Sequence, residues 1–511
     1  MYSKRVQEGV FFQLFKKQRT NSPTHKKKLS LYSFFSTNYP IHSKSTKHHS
    51  KQLFNSSLQD DEFPSSAYEP KSFFRYELIH QSQKENSLAR VGRIHTPNGI
   101  IETPNYVPVA TNAALKGVDF RTMDAFYNFD SDDNDTSRSG DSTQLVFCNT
   151  YHLLLHPGRD MIREAGGLHQ FTSRGKYNKG PFITDSGGFQ VFSLAYGSVQ
   201  AERQSNNTDN DDDDNDTNSK KLKNSLKKNR TELKKNNLRP KPHWNTDVLG
   251  PDTVKITEEG VTFKSYRDGS SFLLTPENTV DAQKDFGADI IIPLDELPPH
   301  HIDSDTLKES VSRSHRWEAR SLKTHLQNVK NQAMYAVIHG GLDEALRRES
   351  VDFLTSLPFD GYAIGGSLGK TRDDLKKLLD FLMPLFESSE HRKSKPRHLL
   401  GIADEESIRY AVKLGVDTMD SCYPTKLGRH GTLLTSKGMV RIKRGAHVRS
   451  YGVPIEEGCG CQTCQHYDRA YLNHLFKAKE PLAIMLGTQH NIFYMQGLMQ
   501  RIRQDIMDNK I

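Results

Sequence analysis

Cysteine is scarce in this chain: there are five in 511 residues, and three of them fall within six positions, at Cys459, Cys461 and Cys464. So few thiols, so clustered, exclude a secreted disulfide framework and point to a metal site. Apolar runs are short, and none approaches the roughly 20 residues of a membrane-spanning helix. Acids are nearly missing from residues 1–60, where 11 Lys and Arg face only Glu8 and Asp60. That basic, Ser- and Thr-rich segment reads as a solvated disordered tail or an organelle transit segment, outside the fold in either case. The first reading leaves the protein in the cytoplasm, the second sends it to the mitochondrion.

The net charge of +8, from 70 Lys and Arg against 62 Asp and Glu, is a mild excess. Acidic residues concentrate in two low-complexity inserts, at about 128–143 and 203–245, so the remainder is more basic than the total suggests. The Lys-rich half of the second insert invites reading as an RNA-binding arm, but a solvated low-complexity loop is the better account.

Around these inserts one pattern recurs: a short apolar run, a Gly, Asp, Asn or His, then a helix-like segment. The runs lie at 145–147, 182–184, 289–292, 335–338, 362–364, 398–400 and 416–419. Strands too apolar to be half-exposed, alternating with helices, predict a parallel sheet. Their number predicts an α/β fold of the (β/α)8 TIM-barrel type, in which residues just past the strands gather at one mouth. Asp185, Asp295, His339, Gly366 and Asp420 would then share a pocket. Short strands at the start of the globular region, at 75–78, 89–91 and 100–104, precede the barrel.

Carboxylates at one mouth can act as nucleophile, general acid or base, or hydrogen-bond acceptor. Two acids around an anomeric carbon form the arrangement of glycosyl transfer. Asp185 is followed by Ser186 and then Gly187–Gly188, which leave bare backbone for a ligand to approach, and Gly340–Gly341 and Gly365–Gly366 repeat the device. Asp420 ends a strand that Pro424 is expected to stop. A basic loop is expected beyond it, with Lys426, Arg429 and His430, then Arg441, Lys443 and Arg444. An acid beside so many cations suggests an anionic substrate.

The spacing Cys459–Gly460–Cys461–Gln462–Thr463–Cys464, with His490 26 positions beyond Cys464, suits a closed Cys3His structural zinc site. His466 and His474 are alternative fourth ligands. Cys148 and Cys422 are expected to be small core residues.

Taken together, several motifs resemble the tRNA-guanine transglycosylases, of the queuine-inserting catalytic-subunit type. They are Asp185–Ser186–Gly187–Gly188–Phe189–Gln190, Gly260–Val261–Thr262–Phe263 with Asp268–Gly269–Ser270, the stretch 359–366, Asp420–Ser421–Cys422–Tyr423–Pro424–Thr425, and the Cys3His set. The likeness covers about 73–511 apart from the inserts, with 1–72 as an extension and a zinc subdomain at about 440–511.

The resemblance implies exchange of guanine for queuine, or a related 7-deazaguanine, at the wobble position of GUN-anticodon tRNAs through a covalent Asp–ribose intermediate. It implies Asp420 as nucleophile and Asp185 as general acid/base. Asp295 would accept from the base, and the Gly366 N–H would donate to its carbonyl. Phe189 and Leu400 would sandwich the ring, and Ser186 would line the pocket. Lys426, Arg429, Arg441 and Lys443 would hold phosphates, and Cys459, Cys461, Cys464 and His490 would bind structural Zn2+. A homodimer, or a heterodimer with a non-catalytic homologue, is also implied.

Two positions depart from or divide the family. His339 replaces a usual Gln, and Gly369 stands where bacterial members carry a bulkier residue, which would leave room for queuine. Three other readings fit less well. A tRNA D-loop-modifying relative usually has a further C-terminal domain, whereas this chain ends at Ile511. A silent partner would have no need of all three acids. A barrel glycosidase would not explain the cysteines.

Overall fold

The computed structural model describes residues 63–127, 144–174, 180–195, 254–265, 267–298, 300 and 302–511. The basic first 60 residues and both low-complexity inserts lie outside the described residues.

Eight strands form one parallel sheet: β1 (Asn105–Pro108), β2 (Val146–Cys148), β3 (Phe182–Thr184), β4 (Ile290–Ile291), β5 (Ala333–Ile338), β6 (Gly361–Ile364), β7 (Arg397–Leu399) and β8 (Thr418–Ser421). Each pairs with its neighbour in sequence, and β8 returns to β1 through Thr418 opposite Asn105. A parallel bridge between Val109 and Phe147 joins β1 to β2 and closes the barrel. Every residue of the eight strands is buried, which explains why their sequences read as continuous apolar runs and not as alternation.

The two faces nonetheless separate by the period of two. Phe147, Ile183, Ile290, Ala333, Tyr335, Val337 and Ala363 pack inside the barrel. Val146, Phe182, Ile291, Met334, Ala336, Ile338, Leu399 and Met419 pack outward against the helices. Among those helices, Glu344–Ser356 is capped by Asp343 and Arg372–Phe386 by a Thr371–Asp374 capping box.

A three-stranded antiparallel sheet (Arg75–Gln81, Arg90–Thr96, Gly99–Thr103) plugs the N-terminal end of the barrel. Its Phe74, Ile94 and Ile101 join the inner cluster, and Phe74 meets Tyr335 edge to face at 6.0 Å. Asp417, just before β8, anchors the plug. It is fully buried, accepts from Arg90 Nε at 2.9 Å and Nη2 at 2.5 Å, and also takes Tyr76 Oη at 2.9 Å and the Arg397 N–H at 2.7 Å. Replacing Asp417 by Ala would strand the buried Arg90 guanidinium, at a cost of about 3–5 kcal/mol. A matching fall in the denaturation midpoint is expected in urea titration; an unchanged midpoint would contradict it. With this end closed, the C-terminal mouth is left for chemistry.

After β8 the chain forms a helix, Tyr423–His430, and a hairpin, Thr432–Thr435 with Gly438–Arg441. Helices Gln462–His466 and Arg469–Ala478 lead into the long Pro481–Met507. Leu433, Ile442, Ile455, Leu472, Leu475, Phe476 and Leu486 make a separate small core around the cysteines. The final helix belongs to both parts, since Ile492, Met495, Leu498, Ile502 and Ile506 pack on the barrel.

Candidate active site and metal centre

The period of two places the site. Two residues beyond an inward-facing position the next inward position is reached, so Phe147 leads to Asn149, Ile183 to Asp185, Val337 to His339, His398 to Leu400 and Thr418 to Asp420. All five lie at the C-terminal ends of their strands.

Asp420 is 8% exposed. Its Oδ1 accepts from the Gly401 N–H at 3.1 Å and lies 3.2 Å from His398 Nε2. The other ring nitrogen of His398 is 2.9 Å from Thr418 Oγ1, and the ring stacks on Phe147 at 6.1 Å. A fixed imidazole and a backbone N–H thus hold one carboxylate oxygen. His398 was not among the residues singled out above. Strand register finds it, which the sequence alone does not supply: His398 pairs with Thr418, two residues from Asp420 on the same face.

Asp185 is held on both oxygens. Oδ1 accepts from the Thr150 N–H at 2.8 Å, and Oδ2 from Asn149 Nδ2 at 2.8 Å and Gln190 Nε2 at 3.0 Å. Burial pushes its carboxyl upward, these donors oppose the shift, and the charge of Asp420 adds to it. Asp295 is pushed up to about 7, by burial first and by the charge of Asp185 second. Asp185 is therefore electrostatically coupled to both other acids, as the barrel mouth predicts.

The glycines hold the loops in close approach. Gly187 has φ +85°, and a Cβ there would lie 2.8 Å from the Tyr151 backbone nitrogen. A Cβ on Gly188 would lie 3.0 Å from the Asp295 carbonyl oxygen, so the loops after β3 and β4 touch through bare backbone. Ser186 Oγ accepts from the Gly188 N–H at 3.3 Å and shapes that turn. Gly366 has φ +70°, and a Cβ there would approach His339 Nδ1 to 3.4 Å. A Cβ on Gly365 would meet Leu400 Cδ1 at 3.0 Å. Phe189, 49% exposed, is an unusually open aromatic beside the acids. Gly369 has a local reason to be glycine: its φ is +91°, and a Cβ would strike the Asp374 Cβ at 2.2 Å within the capping turn. Space for a larger base is therefore not needed to explain it.

The basic segment differs from expectation. Pro424 does not stop the chain; it occupies the first turn of Tyr423–His430, where a missing N–H costs nothing. Lys426 and Arg429 are thus on a helix, which ends at Gly431 with φ +83°. Lys426, Arg441, Lys443 and Arg444 are exposed and Arg429 is half-buried. Cys148 is a core residue as expected, but Cys422 is exposed: it follows Ser421 at the mouth, where the chain turns outward into the helix.

Cys459, Cys461, Cys464 and His490 converge, with their ligand atoms all within 4.8 Å of one another. His490 Nδ1 lies 3.4 Å from the sulfurs of Cys461 and Cys464 and 4.0 Å from that of Cys459. Metal–sulfur and metal–nitrogen bonds of usual length in a tetrahedron put such atoms about 3.5 Å apart, so the set fits a four-coordinate ion. His490 Nε2 donates to the Leu434 carbonyl at 2.7 Å, which leaves Nδ1 free to bind metal. His466 is exposed and the cluster forms without it or His474.

The Cys3His cluster is tied to the segment that follows Asp420 by the side chain next to it. Asn491, next to His490, donates to the carbonyls of Pro424 at 2.9 Å and Thr432 at 3.1 Å. Gly428 and Gly487 let their two helices touch: a Cβ on either would lie 2.5 Å from the other's carbonyl oxygen.

A family model described as Queuine tRNA-ribosyltransferase matches residues 84–222 and 243–511. The queuine tRNA-ribosyltransferase of Protochlamydia amoebophila is 48% identical over 440 residues, covering 86% of this chain and 97% of that protein. Those of Chlamydia felis and Chlamydia muridarum are each 44% identical over 438 residues, covering 86% of this chain and 99% of theirs. Since the match takes in the barrel strands, the three acids of the mouth and all four metal-site residues, the chain belongs to the queuine tRNA-ribosyltransferase family.

Proposed function

We propose that the protein exchanges guanine at the wobble position of GUN-anticodon tRNAs for queuine, through a covalent bond between Asp420 and the ribose. The observation that carries this reading is the placement of Asp420 and Asp185 at the ends of β8 and β3, on inner positions of one barrel mouth, each carboxylate hydrogen-bonded and the charge of one felt by the other.

In the first step Asp420 attacks C1′ of the extruded nucleotide. The C1′–N9 bond breaks, its electron pair leaves with guanine, and Asp185 supplies the proton. In the second step Asp185 takes the N9 proton of the incoming base, which attacks C1′ and releases Asp420. Burial suits Asp185 to this exchange by bringing its proton affinity toward neutrality. Asp295 accepts from the base's N1–H and amino group, the Gly366 N–H donates to its carbonyl, and Phe189 and Leu400 stack on its faces.

Lys426, Arg429, Arg441 and Lys443 hold the flanking phosphates, so affinity for tRNA falls with salt. The metal we assign is zinc; with four protein ligands it serves to hold the C-terminal lobe together. The assembly implied by the family likeness is a dimer, with a second copy or a non-catalytic homologue. No helix among the described residues is long and apolar enough to cross a membrane. We place the reaction in the cytoplasm; the relatives named above are bacterial, which lends an organelle address no support.

Labelled guanine offered with tRNA tests the reading. Incorporation is expected into GUN-anticodon tRNA and not into a tRNA with another first anticodon base, and queuine should chase the label. Incorporation blind to the anticodon, or none, would overturn it.

A further inference from the structure

Glu318 lies on the outer helix Ser304–Gln327, is fully buried, and pairs with no cation among the described residues. Its Oε2 accepts from the Val337 N–H at 2.8 Å. Its Oε1 has no hydrogen-bond partner, and neither has Nε2 of His339, yet these two atoms lie 3.3 Å apart. Asp295 Oδ2 is slightly farther from the same nitrogen, at 3.5 Å. The opposite ring nitrogen, Nδ1, is on the Gly366 side. Two orphaned polar atoms facing each other in a dry site require a proton between them.

Two protonation states put a proton there, and the second holds one more than the first, taken up from solvent. If His339 carries it on Nε2, Glu318 is a bare carboxylate buried beside Asp295, with its charge unmatched. If Glu318 carries it, both side chains are neutral, and the imidazole proton moves to Nδ1. The other charged or titratable groups facing the ring favour the neutral pair. They are Asp295 after β4, His315 on the helix of Glu318, and Arg347 on Glu344–Ser356. The Arg347 guanidinium is taken up by the carbonyls of Ile338, Gly341 and Ser367. Burial drives the Glu318 carboxyl well above the usual carboxylate range, and the Asp295 charge adds to this. Burial, with Arg347 and His315, drives His339 well below the usual imidazole range.

We propose that Glu318 is a positioning residue whose carboxylic O–H donates a hydrogen bond to His339 Nε2, so that Nδ1–H faces Gly366 as a second donor for the carbonyl oxygen of the base. The inference rests on the functional reading above and deepens it. A histidine can present either a donor or an acceptor at this end of the pocket. Glu318 decides which, and so selects a 6-oxo base over an analogue lacking that oxygen.

Guanine exchange by four variants across pH 6–9 tests this, with the variants' thermal midpoints as a check on folding. Glu318→Gln, whose amide is a permanent donor to Nε2, should keep the wild-type KM for guanine. It should also remove the rise in KM expected of the wild type where rising pH takes the proton from Glu318. Glu318→Ala should raise that KM by on the order of tenfold, the worth of one hydrogen bond, with kcat changing less. In a His339→Gln background, Glu318→Ala should have no further effect, because an amide needs no tautomer set.

Equal impairment of Glu318→Gln and Glu318→Ala, or the same loss with and without His339, would overturn the proposal. Should Glu318→Ala fail to fold, the 15N shifts of the His339 ring in the wild type decide: protonated Nδ1 supports the pair and protonated Nε2 overturns it. Absence of exchange by the wild type would instead defeat the functional reading, so the two failures are distinct.

Discussion

Asp420→Ala is expected to abolish base exchange, by on the order of 10^4-fold or more, in a protein that still folds. In the proposed reaction the carboxylate supplies the electron pair that displaces guanine, and no other acid is placed to substitute. Asp185 is held on both oxygens by Asn149, Thr150 and Gln190, and Asp295 lies beyond it, beside His339. The cost to stability is modest. Truncation releases His398 Nε2 and the Gly401 N–H from one acceptor, worth about 1–3 kcal/mol. Asp420→Asn should be as inactive, since its amide oxygen can still accept from Gly401 but cannot attack C1′. Exchange assays beside urea titrations check both claims. The comparison with Asp417→Ala is informative: the two lie three residues apart, one just before β8 and one on it, and one substitution should remove chemistry and the other stability.

Removal of the proposed zinc should have the largest effect on the fold. In small metal-dependent domains a structural zinc contributes roughly 10–16 kcal/mol of apparent binding energy at pH 7, far more than any single contact described here. The C-terminal lobe has a small apolar core built around Cys461 and Cys464 themselves. Without the ion, three thiols and an imidazole would crowd together with little else to hold them. The damage should extend to the mouth, because Asn491 fastens the His490 turn to Pro424, four residues after Asp420. Chelation, or Cys461→Ala, is therefore expected to lower the melting temperature and to silence exchange, and added zinc should restore the chelated protein. A metal-free preparation with unchanged melting and turnover would contradict this.

The barrel was legible because its strands are buried on both faces: runs such as 335–338 and 362–364 can be little else, and the residue after each run marks the mouth. Closure was read from the number of runs, but the contact that makes it was not legible: the bridge from Val109 to Phe147 joins two segments with no shared pattern. Pro424 misled through its ambiguity, because a residue without an N–H ends a strand and begins a helix equally well. Cys422 misled because composition says nothing of which way a strand end turns. His398 and Glu318 were hidden for a different reason. Each matters through a partner 19 to 22 positions away, on a different strand or helix, and a single sequence carries no trace of such pairs. The glycines show the same limit in reverse: Gly369 suggested room for a ligand, and its backbone angle with Asp374 accounts for it without one.

The most direct measurement is to mix the protein with GUN-anticodon tRNA in the absence of free base, denature, digest and identify the peptide that carries RNA. The account predicts an adduct on Asp420, discharged from the native complex by queuine or guanine and missing from Asp420→Asn. An adduct on another side chain, or release of guanine from the tRNA with no adduct at all, would contradict it.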